Sequence, residues 1–399
     1  MYAGTENGLF VTFDDGARWL PLQTNLPHAP VVWITVQPHF HDLVVATYGR
    51  GFWILDDVAP LEQLDAAALA RRVSLFALRP GYRFREVQGV VRAPNSAIQA
   101  QNPPYGADLT YSLSAAVADT ASTPDTTRRQ RPARIAILTA GGDTVRTLEA
   151  TRQLGLNRVW WDLRYASPTT PHLRTPLVAW DLDLSTRGPL VPPGTYTVRL
   201  TVGDTTLSQP LTVLKDPNTT ATDADVAAQT QLTAAIRAEQ DSVARMINRL
   251  EWVRRQLQDL AGQVRGDSTI ARDSAARRIG RLADSLDRKA QAIEGALFDV
   301  HLTGAREDAF RNPTQLYERL AALQSDVAEN SSDFAPTTQQ VAVNDLFRQR
   351  IADASGKFAD FMTKELPAFR TELRGAALKD VIAAYPGLAP GVGPGGSGP

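Results

Sequence analysis

The spacing of hydrophobic positions changes character twice along the chain. Up to about Leu64, short apolar runs at residues 8–13 (GLFVTF), 31–36 (VVWITV), 43–47 (LVVAT) and 51–55 (GFWIL) are separated by Gly, Pro and Asp turns. Turn signals about every 8–12 residues predict an all-β meander over residues 1–64. From Ser74 to Asp216 the period is two, with strands predicted at 108–113, 133–138, 158–163, 195–202 and 208–213. Gly141-Gly142 and Gly203-Asp204 sit where hairpin turns belong. Tyr196, Val198, Leu200 and Val202 give one apolar face and one wet face, as two packed sheets require. Trp160 and Trp161 must then face opposite sides, one filling a core and the other meeting a neighbouring domain. Residues 118–132, rich in Thr, Asp and Arg, read as a solvated loop.

From Thr222 to Leu378 the repeat lengthens to seven. Ile236, Val243, Leu250, Leu257 and Val264 fall one heptad apart, with Met246, Val253 and Leu260 three residues after members of that row. A second seam runs through Ile279, Leu282, Leu286, Ile293, Leu297 and Val300. These rows predict the apolar seams of packed helices. The short connection at 266–268 (GDS) makes the first two antiparallel neighbours. Thr222 with Asp225, and Asn312-Pro313 with Gln315, are predicted N-terminal caps. The last helix, from about Pro336, is expected to bury Val343, Phe347, Ile351, Phe358 and Phe361, completing a bundle of about four helices. Residues 379–399, dominated by Gly and Pro, read as a flexible tail.

Within the first region, Thr12, Asp14, Gly16 and Trp19 fit the turn pattern S/T-x-D-x-G-x-x-W, an Asp-box. Its mechanics follow from the residue types. Asp14 can accept main-chain N–H groups across its own turn. Gly16 can take a left-handed φ, and Trp19 can fold back over the turn with a large apolar face. The roles expected for Asp14, Gly16 and Trp19 are therefore structural.

Together, residues 2–19 (YAGTENGLFVTFDDGARW) and 42–57 (DLVVATYGRGFWILDD) resemble the last blades of bacterial sortilin-like, Asp-box (BNR-repeat) β-propeller proteins. Such proteins are often labelled glycosyl hydrolases. Residues 102–107 (NPPYGA), 155–165 (GLNRVWWDLRY) and 192–200 (PPGTYTVRL) are similar to the Ig-like module that follows in that family. The resemblance implies a multi-domain β plus α chain: terminal blades of a partial β-propeller over 1–64, an Ig-like or fibronectin-like β-sandwich over 74–216, and an antiparallel helical bundle over 222–378. It also implies the C-terminal part of an exported bacterial protein, extracellular or periplasmic, whose further blades lie upstream. Two departures stand out: Tyr48 occupies a position where relatives commonly carry His, and the cysteine-rich module of eukaryotic sortilins is missing.

Composition narrows the chemistry. Lys+Arg 42 against Asp+Glu 43 leaves a formal charge of -1, which provides no electrostatic basis for nucleic-acid binding. With Cys 0, disulfides, thiolate catalysis and cysteine metal sites are all excluded. No apolar run approaches the roughly 18 residues of a membrane span, and residues 1–6 lack the pattern of a signal peptide.

Several clusters carry candidate chemistry. His39, His41 and Asp42 are metal-ligand residue types, but Gln37-Pro38 places them in a tight solvent turn, so no metal is expected. Asp56 and Asp57 have the residue types of a glycosidase pair. As strand neighbours they point to opposite faces, and they read instead as a solvated strand end. No nucleophile-elbow or phosphate-loop pattern occurs, so no catalytic residue and no cofactor are assigned. Tyr48 and Arg50 form the strongest binding candidate. Gly49 and Gly51 let the backbone turn sharply while the guanidinium projects to a rim, with Tyr48 as a stacking face. Glu6 and Asn7 on the preceding blade are expected to extend that surface, whose ligand would be a protein or a glycan. The alternative use of Arg50 is to tie two blades together through main-chain carbonyls. The functional expectation is a non-catalytic binding and scaffolding segment. The alternative is a fragment of an Asp-box glycoside hydrolase whose catalytic acids lie upstream.

Overall fold

The computed structural model describes residues 1–84, 102–118, 133–174, 187–267, 270–299, 314–328 and 333–375. The loop expected at 118–132 beyond its first residue, Val300, His301, the cap at Asn312-Pro313 and the tail 379–399 lie outside the described residues. The chain is mixed β and α and forms two compact units, Met1–Arg164 with Pro192–Asn218, and Tyr165–Val191 with Thr219–Pro399.

In the first unit, β1 (Tyr2–Thr5), β2 (Gly8–Val11) and β3 (Leu20–Pro21) form one antiparallel sheet, and β4 (Val31–Gln37), β5 (Asp42–Thr47) and β6 (Phe52–Leu55) form another. Leu9, Leu43, Val45 and Val58 make a small core, with Ile34, Val36 and Trp53 packed against it. Strand pairing sets Ile34, Val45 and Trp53 in one row across the second sheet. The rows on either side of it, Trp33, Ala46 and Phe52 on one and Thr35, Val44 and Ile54 on the other, belong to the opposite face. Trp33 and Phe52 on that face are 69% and 79% exposed, and alternation along β5 puts the charged Asp42, opposite Gln37, at the far edge of the same face. Two short helices, α1 (Ala59–Glu62) and α2 (Ala66–Ala70), follow.

The same unit holds two further sheets. One is ordered β12 (Gly155–Trp161), β9 (Ala107–Leu113), β7 (Val73–Leu75). The other runs β11 (Thr144–Ala150), β10 (Ala133–Leu138), β13 (Gly194–Val202), β14 (Thr205–Lys215), β8 (Gly81–Arg83), with only the β14–β8 pair parallel. The alternation predicted for β13 holds: Tyr196, Val198, Leu200 and Val202 are buried, while Thr195 and Arg199 are exposed. Gly203-Asp204 closes the β13–β14 hairpin. Trp161 is fully buried and meets Tyr196 edge-on at 5.6 Å, joining the apolar faces of the two sheets. Trp160, on the other face, is half-buried.

The second unit is helical. α3 (Asp223–Gly266) begins at a capping box in which Thr222 and Asp225 bond reciprocally, as the sequence predicts. Its heptad row Ile236, Val243, Leu250 and Leu257 is fully buried. α4 (Ser274–Leu297) runs antiparallel to it, since Arg265 pairs with Asp284 and Arg254, further back, pairs with Asp287. α5 (Leu316–Ala328), α6 (Thr338–Asp360) and α7 (Leu366–Gly375) bring the number of these helices among the described residues to five, one more than the spacing suggests. α6 passes into α7 through a single π-turn, Phe361–Glu365, so the buried residues run Phe347, Ala354 and Phe361, then skip five to Leu366 before Phe369 and Leu373. Phe347 and Phe361 are buried as predicted and Ile351 and Phe358 are half-buried, but Val343 is exposed. Asn344 takes the inward position instead and donates to Glu239.

An extended strap, residues 165–174, lies along α3. Arg237 Nε donates to the Ala166 carbonyl, and the Thr169 amide donates to Asp241 at 2.6 Å. Asn248 brackets the strap's far half, accepting from the His172 amide and donating to the Thr170 carbonyl. Pro168 and Pro171 are buried, and Leu173 packs against the helical core.

Candidate functional site

The Asp-box turn is built from short-range bonds. Thr12 Oγ1 donates to Asp14 Oδ1 at 2.8 Å and accepts the Gly16 amide at 3.0 Å. Asp14 Oδ1 also accepts the Arg18 amide at 2.9 Å. That amide first, and the Thr12 hydroxyl second, hold the Asp14 carboxyl below its ordinary range. Gly16 has φ +94, and Trp19 lies over it, its ring atoms 3.8–3.9 Å from where a Cβ would stand. Every strong contact of Asp14 is thus spent on the turn itself.

Glu6 and Asn7 are the two central residues of the β1–β2 hairpin and are exposed. Tyr48 and Arg50 occupy the β5–β6 turn, where the Thr47 amide and hydroxyl both donate to the Gly51 carbonyl. Gly49 and Gly51 have φ +73 and +74, a backbone path that strains any residue with a Cβ. The segment at residues 28–30 links the two turns. His28 Nδ1 lies 3.3 Å from the Asn7 carbonyl oxygen, and two residues on, the Pro30 carbonyl accepts the Tyr48 amide at 2.8 Å. All four residues therefore stand at one end of the paired sheets. Tyr48 is 76% exposed. The Arg50 carbonyl accepts Trp53 Nε1, and no carbonyl or carboxylate among the described residues holds its guanidinium.

A second assembly gathers residues that the sequence leaves scattered. Asp57 is buried with φ +49. Its amide donates to Asp42 Oδ1, its Oδ1 accepts the Ala59 amide, and its Oδ2 pairs with Arg79 Nε at 2.9 Å. Arg158 on β12 donates to the carbonyls of both Asp56 and Asp57. Its Nε stands 2.8 Å from Asp108 Oδ2, close enough for an ion pair although the N–H is not aligned for a hydrogen bond. Burial first, and the charge of Asp42 second, push the half-buried Asp56 carboxyl above its ordinary range. Burial does the same to Asp108.

This corrects the expectation of a solvated strand end: both Asp57 oxygens are engaged and the residue is buried, so it anchors β6 to α1 and to Arg79. Nor do His39 and His41 converge on one site. His41, at φ +55, places Nδ1 3.3 Å from Glu62, while the His39 ring packs on Phe40 and Tyr82. Among the described residues no group of three or more His, Asp or Glu side chains could hold a metal ion. Arg79, Arg158 and Asp108 were not singled out by the sequence because they come from three distant segments. A faint signal exists: alternation on β12 sets Arg158 on the face opposite Trp161. No described helix is long and apolar enough to cross a membrane. No protein-family model matches the chain, and neither the curated proteins nor the solved structures contain a match.

Proposed function

We propose that this chain is a non-catalytic binding segment of an exported Asp-box propeller protein, taking a protein or glycan ligand at the turns that carry Glu6, Asn7, Tyr48 and Arg50. In this reading β1–β6 are terminal blades, β7–β14 an Ig-like sandwich, and α3–α7 an antiparallel bundle.

The observation that carries the binding role is the turn at one end of the sheets, where the exposed Tyr48 stands two residues from Arg50, whose guanidinium no carbonyl or carboxylate among the described residues holds. That combination suits a carboxylate or a sugar face. The exposed apolar side chains Trp33, Phe52 and Ile54 on one face support the propeller reading, because blades of such a ring cover one another with apolar faces. The engagement of Asp57 in structure supports a non-catalytic role.

The test is a glycan array, including uronic acid-bearing oligosaccharides, probed with the purified chain alongside a reducing-sugar assay on the same ligands. Binding that Arg50→Ala and Tyr48→Ala each weaken at least about tenfold, roughly the 1.4 kcal/mol of one charge-assisted contact, supports the proposal. Release of reducing sugar that Asp56→Asn abolishes would replace it with a hydrolase.

A further inference from the structure

Six side chains close a ring where the strap ends on α3. Arg174 Nη1 donates to Gln258 Oε1 at 2.7 Å, and Gln258 Nε2 donates to Asp287 Oδ2 at 2.9 Å. Asp287 Oδ1 accepts Arg254 Nε at 2.9 Å, and Arg254 Nη1 donates to Glu294. Glu294 faces Glu251, which accepts Arg174 Nε. The ring has contributions from the strap (Arg174), α3 (Glu251, Arg254, Gln258) and α4 (Asp287, Glu294). The charges acting on Glu294 are those of Glu251 and Arg254. His172, the other titratable group of this part of the strap, is exposed.

The ring holds three acids against two arginines. Glu294 is fully buried, and its Oε1 has no donor among the described groups. Carboxylates only accept, so two carboxyl groups facing each other can bond only through a shared proton. One proton on the pair makes the ring neutral. Burial, then the hydrogen bond and charge of Glu251, push Glu294 up to about 7.

We propose that residues 165–174 are an acid-loosened strap: Arg174 leaves Glu251 as the Glu251–Glu294 pair takes up a second proton, and the strap then parts from α3. The electrostatics fix the sign. With Arg174 in place, its guanidinium compensates the negative charge at Glu251. With Arg174 gone, a buried carboxylate would stand beside a second carboxyl group without its cation, a state costly enough that protonation replaces it. The open strap therefore binds more protons than the closed one, and falling pH favours opening. Arg174 is the one ring member carried on the strap rather than on a helix, so its contacts are the ones that part when the strap leaves α3.

Amide hydrogen exchange on the full chain tests this at Thr169 and His172, whose N–H groups bond to Asp241 and Asn248. After correction for the intrinsic pH dependence of exchange, the opening constant should rise as pH falls from 7.5 to 5.5, by at most about tenfold per unit, the limit set by net uptake of one proton. Ile247 in the α3 core reports global unfolding and should not follow. Glu251→Gln should flatten the slope. Arg174→Gln, on the strap itself, should raise opening at every pH and also flatten it. A flat wild-type profile, or an Arg174→Gln profile with the wild-type slope, overturns the proposal.

Discussion

Arg158 stands 2.8 Å from Asp108, a carboxylate with 1% of its side chain exposed, and so supplies the charge that makes this burial tolerable. Replacing Arg158 by Met keeps much of the aliphatic packing and removes the cation. Chemical denaturation of the first unit should show a loss of about 3 kcal/mol, the low end for breaking a buried pair, because Arg158 itself is 34% exposed. Asp108→Asn in the same background should restore part of that loss.

Leu250 and Leu257 are fully buried on the α3 seam. Either Leu→Ala change should cost the helical unit about 2–5 kcal/mol, depending on how far the site collapses around the cavity. Urea melts followed by far-ultraviolet circular dichroism measure it. A cost near zero would mean the seam is not the core.

The raised Glu294 also shapes global stability. Its folded value, about 7, lies above the ordinary carboxyl value of 4.5, so the folded unit binds the extra proton. That contribution is full below 4.5 and disappears as pH rises through 7. The helical unit should therefore lose stability between pH 5 and 8, and Glu294→Gln should remove the trend. This direction opposes that of strap opening, because unfolding returns both acids to water whereas opening leaves them buried without an arginine.

The Asp14 carboxyl is held low by the Arg18 amide and the Thr12 hydroxyl, so its contribution to the turn is present at neutral pH and lost as pH falls through the folded value. Asp14→Ala should change the near-ultraviolet signal of Trp19 at neutral pH and leave the helical melt where it was. A parallel fall in helix content would refute the independence of the two units.

Much of this molecule is written in local patterns. The Asp-box bonds span at most four residues, and the α3 seam repeats every seven, so both could be read from spacing. Hairpin turns at Gly203 and in the β5–β6 connection were legible for the same reason. The junction of Asp57, Arg79, Arg158 and Asp108 was not, since its bonds join residues up to 101 apart. The strap was hidden by a different cause. α3 grips it mainly through main-chain atoms, which impose no residue type, and its two buried prolines read as a loop signal. Val343 misled because the inward position at its level is taken by the polar Asn344, which reaches Glu239 on α3, and a reading of apolar spacing does not register a polar residue in the seam.

The π-turn at Phe361–Glu365 makes the end of the chain's helical unit sensitive to length rather than to chemistry. Because the spacing of five between Phe361 and Leu366 is what keeps the apolar edge aligned, deleting one residue there would swing Phe369 and Leu373 by about 100° around the axis. Insertions and deletions should therefore be selected against at this bend even where nearly any solvent-facing substitution is accepted.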